Sequence, residues 1–525
     1  MKGGPVSYNE MASLISKLKK RKAPAWDKLT SEHLQFSCKI TKSVIVWVMN
    51  GIIKSNSFPV DFKKGVLIPI PKANKDSSLK ENNRGITLLP VLYKLFEKNV
   101  IERESVWAES NISEIQSCGK QHISCLHTSF ILQQAIAHNV NQGETIYGAF
   151  LDTQKAFDTV WINGLLWKLY ESGINPKLWL LIRDAYSDFK CSVMMNGEID
   201  QWFYARRGVH QGAPLSMILY TVYINDLLTE LTHARSGLHL YDVNVTNPAH
   251  ADDLALLALS KKGLNELLVI AYRYSLKWRY TYNLSKTALM IWGPDNDPHL
   301  SVNFGNEILE KKSSCKHMGV TLVSETNMNK DVYTKRVGAG RQMLHASRGL
   351  GSTSMPVMPN VLSKIYWSVS VPKMTYGLEV SPISDSCIEI LEKAHRYHAN
   401  ILQNLPQCTP RPAPLATLGW LSMEAYIATI QIMFLVRVLC LDPKSIYRRA
   451  MLICVQNIFV KGKVKEKMLS PVASMVHFVE RYGLENMIKH LLTYGNWNNV
   501  KQIKGQVKRV IWEFEVQRWK ASCIM

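Results

Sequence analysis

Two adjacent aspartates within an apolar run are the residues of this 525-residue sequence best suited to chemistry. Asp252 and Asp253 lie in the run at 248–257, where burying an unpaired charge costs at least several kcal/mol. A metal ion, a cation or solvent at a tight turn must therefore compensate them. A second apolar run, at 148–151, ends abruptly in Asp152. If two strand ends bring these carboxylates together, they can bind a divalent metal ion, because Mg²⁺ prefers carboxylate ligands.

The elements that must position these carboxylates follow from the spacing of apolar residues. The Asp252–Asp253 pair is predicted to lie in a hairpin, and Asn196-Gly197 predicts a primed turn within a second hairpin at 191–204. The glycine-punctuated loop 206–214 is predicted to open a helix that runs to about residue 231. The other predicted elements are helices at 7–20, 91–103, 128–140, 264–278 and from 330 onward, an edge strand at 65–71, and strands at 84–89, 286–292 and 315–322. This order predicts an α+β fold, with a sheet covered by helices on one face.

The composition indicates a basic, globular protein with roughly two to four domains or subdomains. Lys and Arg number 63 against 42 Asp and Glu, and the net charge of +21 favours a polyanionic partner such as nucleic acid. A basic protein that merely stays soluble is the alternative. Ten cysteines without a CxxC pair indicate reduced thiols. We expect no signal peptide and no membrane span, since the most apolar stretch, 425–441, is interrupted by Gln431 and Arg437.

Two basic segments are candidates for phosphate contact. The cluster at 17–22 suits a solvated helix end, a phosphate contact or a nuclear-import signal. The last 82 residues hold 15 Lys and Arg against 5 Asp and Glu, interleaved with Trp497, Trp512, Phe514 and Trp519. Such aromatic residues can stack on bases, although aromatic residues at helical spacing more often pack in a core.

Cys118, His122, Cys125 and His127 are close enough in the sequence to suggest a zinc site. Their spacing matches no standard zinc knuckle, and a single ligand loop lacks the paired geometry of structural zinc sites. A zinc site is therefore disfavoured.

Several short motifs, met in one order along the chain, carry a family resemblance. They are Lys22-Ala23-Pro24 with Asp27, Lys72, and the segments 83–88 (NRGITL), 150–160 (FLDTQKAFDTV), 208–216 (GVHQGAPLS), 224–227 (INDL), 251–253 (ADD) and 283–287 (NLSKT). In this order they resemble the blocks of the reverse transcriptases of the non-LTR (LINE-type) retrotransposon family. One block alone would be weak evidence, whereas this ordered series extends over about 300 residues.

The resemblance implies an α+β, right-hand polymerase fold. Fingers are expected at 1–146, a palm at 147–324, a helical thumb or connector at 325–443 and a basic C-terminal region at 444–525, with the reverse transcriptase domain at about 60–324. The implied reaction is RNA-templated DNA synthesis, in which deoxynucleotides are joined to a primer 3′ hydroxyl. The implied cofactor is a pair of Mg²⁺ ions, for which Mn²⁺ can substitute.

The resemblance also assigns roles to the acidic residues. Asp152 and Asp252 are expected to bridge both metal ions, which can stabilise the attacking and leaving oxygens of phosphoryl transfer. Asp253 is expected to be a weaker metal ligand, because adjacent residues of an extended segment point in different directions. Lys286 is a candidate proton donor to the pyrophosphate leaving group. Asp158 is expected on the following helix, in a structural role.

Five residues are expected to contact the incoming nucleotide. By the resemblance, Lys72 and Arg84 grip its triphosphate, and the guanidinium of Arg84 can do so through two parallel hydrogen bonds. Gln211 and Gly212 are expected to line the nucleotide pocket. Phe157 is expected to block a ribose 2′ hydroxyl by its bulk.

The sequence departs from the family pattern at four positions. His250 replaces a usual aromatic residue and Met217 a usual proline, while Ala25 and Lys28 stand where glycines are usual. A catalytically decayed, RNA-binding remnant of the same fold is therefore the main alternative. An intron maturase and a metal-dependent phosphohydrolase are more distant alternatives, and the ordered blocks argue against the phosphohydrolase.

The resemblance further implies an RNA template, a DNA primer or target, and deoxynucleotides as partners, and no membrane. The sequence contains no recognisable endonuclease, CCHC knuckle or ribonuclease H segment. An endonuclease activity is therefore expected from a larger protein or a partner. We expect an intracellular location, in the nucleus or the cytoplasm.

Overall fold

The computed structural model describes residues 4–72, 75–295, 297, 300–324, 329–348, 358–406, 409–461 and 468–524. Parts of the predicted thumb and basic region, at 325–328, 349–357, 407–408 and 462–467, lie outside the described residues. The chain forms two compact units, each assembled from separate stretches. The first contains 1–121, 152–233 and 270–285, and the second contains 122–151, 234–269 and 286–525.

The helices and strands are numbered in chain order. The helices are α1 (Tyr8–Ser16), α2 (Ser31–Gln35), α3 (Lys39–Ser55), α4 (Val91–Arg103), α5 (Ser105–Ser110), α6 (Cys125–Asn141), α7 (Ala156–Thr159), α8 (Ile162–Glu171), α9 (Pro176–Tyr186), α10 (Ser216–Thr232), α11 (Lys261–Lys277), α12 (Asn329–Arg348), α13 (Pro359–Ile365), α14 (Val371–Thr375), α15 (Asp385–Gln403), α16 (Ala413–Leu418), α17 (Met423–Leu439), α18 (Ile446–Lys461), α19 (Pro471–Arg481), α20 (Glu485–Tyr494) and α21 (Val500–Ile524). The strands are β1 (Lys64–Pro71), β2 (Asn83–Leu88), β3 (Ile146–Leu151), β4 (Lys190–Met195), β5 (Glu198–Ile199), β6 (Phe203–Tyr204), β7 (His239–Leu240), β8 (Val243–Asn244), β9 (Ala249–His250), β10 (Asp253–Ala258), β11 (Ala288–Trp292), β12 (Ser301–Phe304), β13 (Glu307–Glu310), β14 (Ser314–His317) and β15 (Val320–Val323).

The sheet of the first unit has the strand order β2-β1-β4-β5, with β6 also paired to β4. The prediction that β1 is an edge strand was wrong, because β1 pairs antiparallel with β2 and parallel with β4. Its pairing with β4 covers only residues 64–67, so Pro69 and Pro71 lie where β1 has β2 as its one paired neighbour. A proline lacks the N–H that a second neighbour would need, which explains why β4 pairs with the first half of β1.

Two turns with positive φ angles set the short hairpins. Asn196 (φ +54°) and Gly197 (φ +88°) join β4 to β5, which confirms the predicted primed turn. Met318 (φ +51°) and Gly319 (φ +79°) join β14 to β15 in the same way. The single strand predicted at 315–322 was therefore wrong, since this pair of left-handed residues reverses the chain within it.

The central sheet of the second unit has the order β11-β3-β10-β9. Strand β3 is antiparallel to both β10 and β11, and all six of its residues are buried. Gly148 is required at its centre, because a Cβ atom there would come within 2.8 Å of the Trp292 ring. The apolar run that ends in Asp152 is therefore the middle strand of a tightly packed sheet.

The remainder of the second unit is helical from α12 onward, as predicted. The stretch predicted as a buried helix at 425–441 is α17, which lies in the core. Its Gln431 donates hydrogen bonds to the main-chain oxygens of Leu378 (2.8 Å) and Ser381 (3.1 Å), so the polar interruption has partners. Within the described residues, no helix is both long and apolar enough to cross a membrane.

Candidate active site

The Asp252–Asp253 pair lies at the tip of a hairpin in the second unit. His250 of β9 pairs with Asp253, so Ala251 and Asp252 form a two-residue turn between β9 and β10. Ala251 has a φ angle of +54°, which is uncommon for a residue with a Cβ atom. Both aspartates are partly exposed, in contrast to the buried apolar residues of β10. The turn thus places two partly exposed carboxylates at the start of a buried strand.

The register of β3 and β10 places the end of one strand beside the start of the other. Leu151, the last residue of β3, pairs with Leu254, the second residue of β10. Asp152 follows Leu151 in the sequence and begins the next stretch of the first unit. Within that unit, the main-chain oxygen of Asp152 accepts a hydrogen bond from Asn283 N (2.6 Å). The motifs that begin at 150 and 283 are therefore in contact.

His250, the main departure from the family pattern, is half-buried, and burial lowers the pKa of its imidazole. His317 interacts electrostatically with His250 and packs against the Phe150 ring, with a centroid distance of 5.0 Å. Burial, reinforced by repulsion from His250, lowers the pKa of His317 to about 3. His317 is therefore neutral at pH 7, and its ring packs beside the sheet.

The loop around Gln211 is fastened to β2 and α7 in the first unit. The main-chain oxygen of Gln211 accepts a hydrogen bond from Thr87 N (2.8 Å), and its side-chain nitrogen donates one to Asp158 (3.0 Å). Gly212 has a φ angle of +114°, and a Cβ atom there would lie 3.0 Å from the oxygen of Thr87. Glycine is required at 212 because the loop approaches the strand so closely.

Phe157 lies on α7, where its ring and its main chain each have one contact. The ring stacks on Tyr220 of α10, with centroids 5.0 Å apart and planes 18° apart. Its main-chain oxygen accepts a hydrogen bond from Val209 N (2.8 Å). The ring is therefore pre-positioned beside the loop that carries Gln211.

Lys72 and Arg84 lie at the loop end of the β1–β2 hairpin, where β1 ends and β2 begins. Arg84 pairs with Ile70, and Lys72 follows β1 by one residue. Lys72 Nζ donates a hydrogen bond to the main-chain oxygen of Glu81 (2.6 Å), and Lys72 N donates one to that of Asn82 (2.8 Å). Strand β2 therefore carries Arg84 and, three residues later, the Thr87 amide that holds Gln211. Lys286 belongs to the second unit and lies in a turn two residues before β11, not in the strand predicted at 286–292.

Zinc binding by the cysteine and histidine residues at 118–127 has no structural support. His127 is buried, its Nδ1 accepts a hydrogen bond from Ser124 N (3.1 Å), and its ring packs on Phe434. Among the described residues, no group of three or more His, Cys, Asp and Glu side chains could hold a metal ion. Mg²⁺ in polymerase sites uses one or two carboxylates together with water and substrate phosphates, and the Asp252–Asp253 turn offers donors of that kind.

A buried lysine that the sequence did not single out organises the first unit. Lys168 of α8 donates hydrogen bonds to Tyr223 O (2.5 Å) and to the Tyr274 hydroxyl, and forms an ion pair with Asp226 (3.1 Å). Its Nζ lies 3.9 Å from the centroid of the Trp278 ring. Burial lowers the pKa of Lys168 to about 8. The INDL motif at 224–227 is therefore held by the ion pair between its Asp226 and the buried Lys168, a contact that no local sequence pattern marks.

Residues 70–322 match the family described as reverse transcriptase (RNA-dependent DNA polymerase). The RNA-directed DNA polymerase from mobile element jockey of Drosophila melanogaster is 25% identical over 407 residues, which cover 76% of this chain and 43% of that protein. The probable RNA-directed DNA polymerase from transposon BS of the same organism is 26% identical over 332 residues, covering 61% and 36%. A structure of telomerase from Candida albicans aligns with 74% of this chain and 66% of that chain, at 14% identity and a TM-score of 0.33.

Residues 70–322 thus constitute a reverse transcriptase domain. The chain is a relative of the reverse transcriptases of non-LTR mobile elements, which confirms the resemblance carried by its motifs. It spans less than half the length of these two relatives.

Proposed function

We propose that this chain is an RNA-directed DNA polymerase of a non-LTR retrotransposon, which joins deoxynucleotides to a primer 3′ hydroxyl. The observation that carries the proposal is the pairing of Leu151 with Leu254 in the second unit. Both partners are sequence neighbours of the proposed metal ligands, since Asp152 follows Leu151 and Asp253 precedes Leu254. The reverse transcriptase match over 70–322 contains all three aspartates.

In this proposal Asp152 and Asp252 are the principal ligands of two Mg²⁺ ions, for which Mn²⁺ can substitute. Such ions, when bound, stabilise charge on the attacking and leaving oxygens of phosphoryl transfer. Asp253 is the first residue of β10 and points away from its neighbour, so its contribution is smaller. The partial exposure of the carboxylates supports this role, because Mg²⁺ keeps several water and phosphate ligands.

The nucleotide-binding roles follow the same proposal. Lys72 and Arg84 bind the triphosphate from the end of the β1–β2 hairpin. Gln211 and Gly212 form the nucleotide pocket, supported by the contacts that hold their loop to Thr87. Lys286, in its turn before β11, donates a proton to the pyrophosphate. These elements belong to the fingers and palm of a right-hand fold in which the helices from α12 onward supply the thumb.

The proposed partners are an RNA template, a DNA primer or target, and deoxynucleotides. Related proteins are more than twice as long as the aligned part of this chain. We propose that an endonuclease activity is supplied by a longer protein or by a partner.

The test is primer extension on poly(rA) annealed to oligo(dT), with Mg²⁺ and the full chain. Asp252→Asn should reduce extension at least 100-fold while preserving the circular dichroism spectrum, because it removes a charged ligand and keeps the shape. Glu307→Gln, at an exposed carboxylate of β13, is the matched control and should leave the rate unchanged. Equal rates for Asp252→Asn and the wild type would refute the two-metal assignment. RNA binding without any extension by the wild type would instead indicate a decayed remnant.

A further inference from the structure

Helix α21 has one face that is fixed to the second unit. Ile503, Val507 and Ile511, spaced four residues apart, are buried, and Glu515 continues the same row. The Glu515 carboxylate accepts a hydrogen bond from Ser422 N at the start of α17 (3.2 Å). The rotation of α21 about its own axis is therefore set by these contacts.

An ion-pair cluster fixes the end of the helix. The guanidinium of Arg518 lies 3.2 Å from Glu424 of α17 and 3.1 Å from Glu515. Arg481 of α19 lies 2.9 Å from the same Glu424 carboxylate. Glu424 and Glu515 are thus already paired with arginines.

A row of exposed cations follows another side of the helix. Lys501, Lys504 and Lys508 are exposed and lie about one turn apart, so their ammonium groups are neighbours. The residues three and four positions from each of them include no acid. In the part of the chain that the structure describes, no salt bridge joins these three lysines to a carboxylate. Like charges at this spacing repel each other and destabilise an isolated helix. A bound anion would reduce this repulsion.

An exposed indole continues the row. Trp512 lies one turn beyond Lys508 and is 40% exposed. The Trp519 ring meets it edge-on, with centroids 5.5 Å apart and planes at 90°. An ideal Cβ atom at Gly419 would lie 4.0 Å from the Trp512 ring, so the indole rests against the turn after α16. A ring held this way presents a surface for stacking without much further loss of freedom.

We infer that the stripe formed by Lys501, Lys504, Lys508 and Trp512 binds single-stranded nucleic acid independently of sequence. The ammonium groups contact successive phosphates, and the indole stacks on a base, as in other sequence-tolerant single-strand sites. The inference rests on the proposed function for the class of ligand. It adds a second binding surface, since the stripe lies beyond residue 322, where the reverse transcriptase match ends. The stripe contains no exposed aliphatic side chain, which favours nucleic acid over a lipid surface.

The test measures binding of labelled 20-nucleotide oligo(U) RNA and oligo(dT) DNA to the full chain by fluorescence anisotropy across a salt series. The triple variant Lys501→Gln, Lys504→Gln, Lys508→Gln should bind at least tenfold more weakly at about 100 mM salt. Its plot of log affinity against log salt should be less steep by about 2, because each phosphate contact to a single strand contributes about 0.7 to the slope. Trp512→Ala should cost roughly tenfold, and Trp512→Phe should restore most of the affinity.

The control variant neutralises three exposed lysines of other helices, Lys261→Gln, Lys262→Gln and Lys335→Gln, with the same change in net charge. If the triple variant has the same affinity and salt slope as this control, the inference is overturned. Binding of the triple variant to anionic phosphatidylglycerol vesicles is measured in parallel. The inference is also overturned if the triple variant loses vesicle binding and keeps its affinity for both oligonucleotides. Selective loss of RNA binding would identify RNA as the ligand, and equal losses would identify the shared phosphate backbone. The triple lysine variant should extend a saturating, pre-annealed primer–template at the wild-type rate, whereas Asp252→Asn should not. Failure of the binding inference can therefore be distinguished from failure of the proposed polymerase function.

Discussion

At the scale of single residues, we propose that Phe157 acts as a steric gate. Tyr220 stacks on one of its faces, and the bond from Val209 N fixes its main chain. The stacking restrains the ring and the hydrogen bond holds its main chain, so moving the ring aside for a larger sugar would disturb these contacts. A steric gate against a ribose 2′ hydroxyl requires this rigidity, because a mobile ring would yield at little energetic cost.

Phe157→Val should therefore increase incorporation of ribonucleotides relative to deoxynucleotides at least tenfold. The smaller side chain leaves room for the 2′ hydroxyl and keeps the β-carbon in place. Single-nucleotide extension with dTTP and with UTP, compared as kcat/KM, measures the change.

Phe157→Tyr is the matched control, since it keeps the bulk of the ring and should keep the discrimination. An unchanged preference in Phe157→Val, with extension otherwise intact, would remove the steric role from this residue.

The sequence could indicate the aspartates but not the lysine that organises the first unit. Asp152, Asp252 and Asp253 interrupt or end apolar runs, so they can be recognised from the neighbouring sequence. Lys168 looks like any lysine of an amphipathic helix, and its partners Tyr223 and Tyr274 lie more than fifty positions away. A contact made only by the fold leaves no local pattern.

At the scale of elements, α15 is joined to its neighbours through a buried histidine. His395 Nδ1 accepts a hydrogen bond from the Tyr366 hydroxyl (2.7 Å), and its Nε2–H donates one to Leu421 O (3.0 Å). The ring stacks on Trp420 with a centroid distance of 5.1 Å. Burial lowers the pKa of His395 to about 3, so the ring is neutral in the folded protein.

Because the folded pKa lies below the unfolded value of 6.5, the unfolded chain binds a proton first as the pH falls. The contribution of neutral His395 to stability is complete above pH 6.5 and decreases below it. Between pH 7 and pH 4.5, wild type should lose about 2–3 kcal/mol more unfolding free energy than His395→Gln. Urea denaturation at the two pH values measures the difference.

His490→Gln, which replaces an exposed histidine of α20, should follow the wild-type pH dependence. Parallel curves for wild type and His395→Gln would show that His395 is protonated in the folded protein.

Errors in predicted elements arose where distant strands decide the outcome. The helix predicted at 91–103 is α4, because its apolar spacing is a local signal. The position of β1 inside its sheet depends on β4, which follows it by more than a hundred residues. The helix predicted at 7–20 ends at Ser16, although Leu18 continues its apolar spacing and is buried.

At the scale of the whole molecule, residues 70–322, which match the reverse transcriptase family, do not contain all the segments that pack around them. Within the second unit, helix α6 is covered by segments that lie beyond residue 322. Gln134 accepts a hydrogen bond from Val472 N (3.0 Å), and Asn141 exchanges two with Met468 (2.8 and 2.9 Å). The ring of His127 packs on Phe434 and Tyr447.

A fragment limited to residues 70–322 should therefore aggregate or lack fixed tertiary packing, because it exposes Phe130 and removes the partners of the buried His127 and Gln134. Co-expression with a separate 323–525 chain should increase its soluble yield several-fold. Size-exclusion chromatography and near-ultraviolet circular dichroism distinguish the outcomes. A monomeric 70–322 fragment with a native-like near-ultraviolet spectrum would contradict this expectation.

The order of strands in the second unit also has a consequence during synthesis on the ribosome. The middle strand β3 is made first, and its partner β10 is completed about 100 residues later. At about 5–20 residues per second, the apolar segment Ile146–Leu151 waits roughly 5–20 s for β10, and longer for β11. During that interval its two edges can pair with other nascent chains. Faster translation or a chaperone that shields this hexapeptide should thus raise the yield of folded protein more than any change at the Asp252–Asp253 turn.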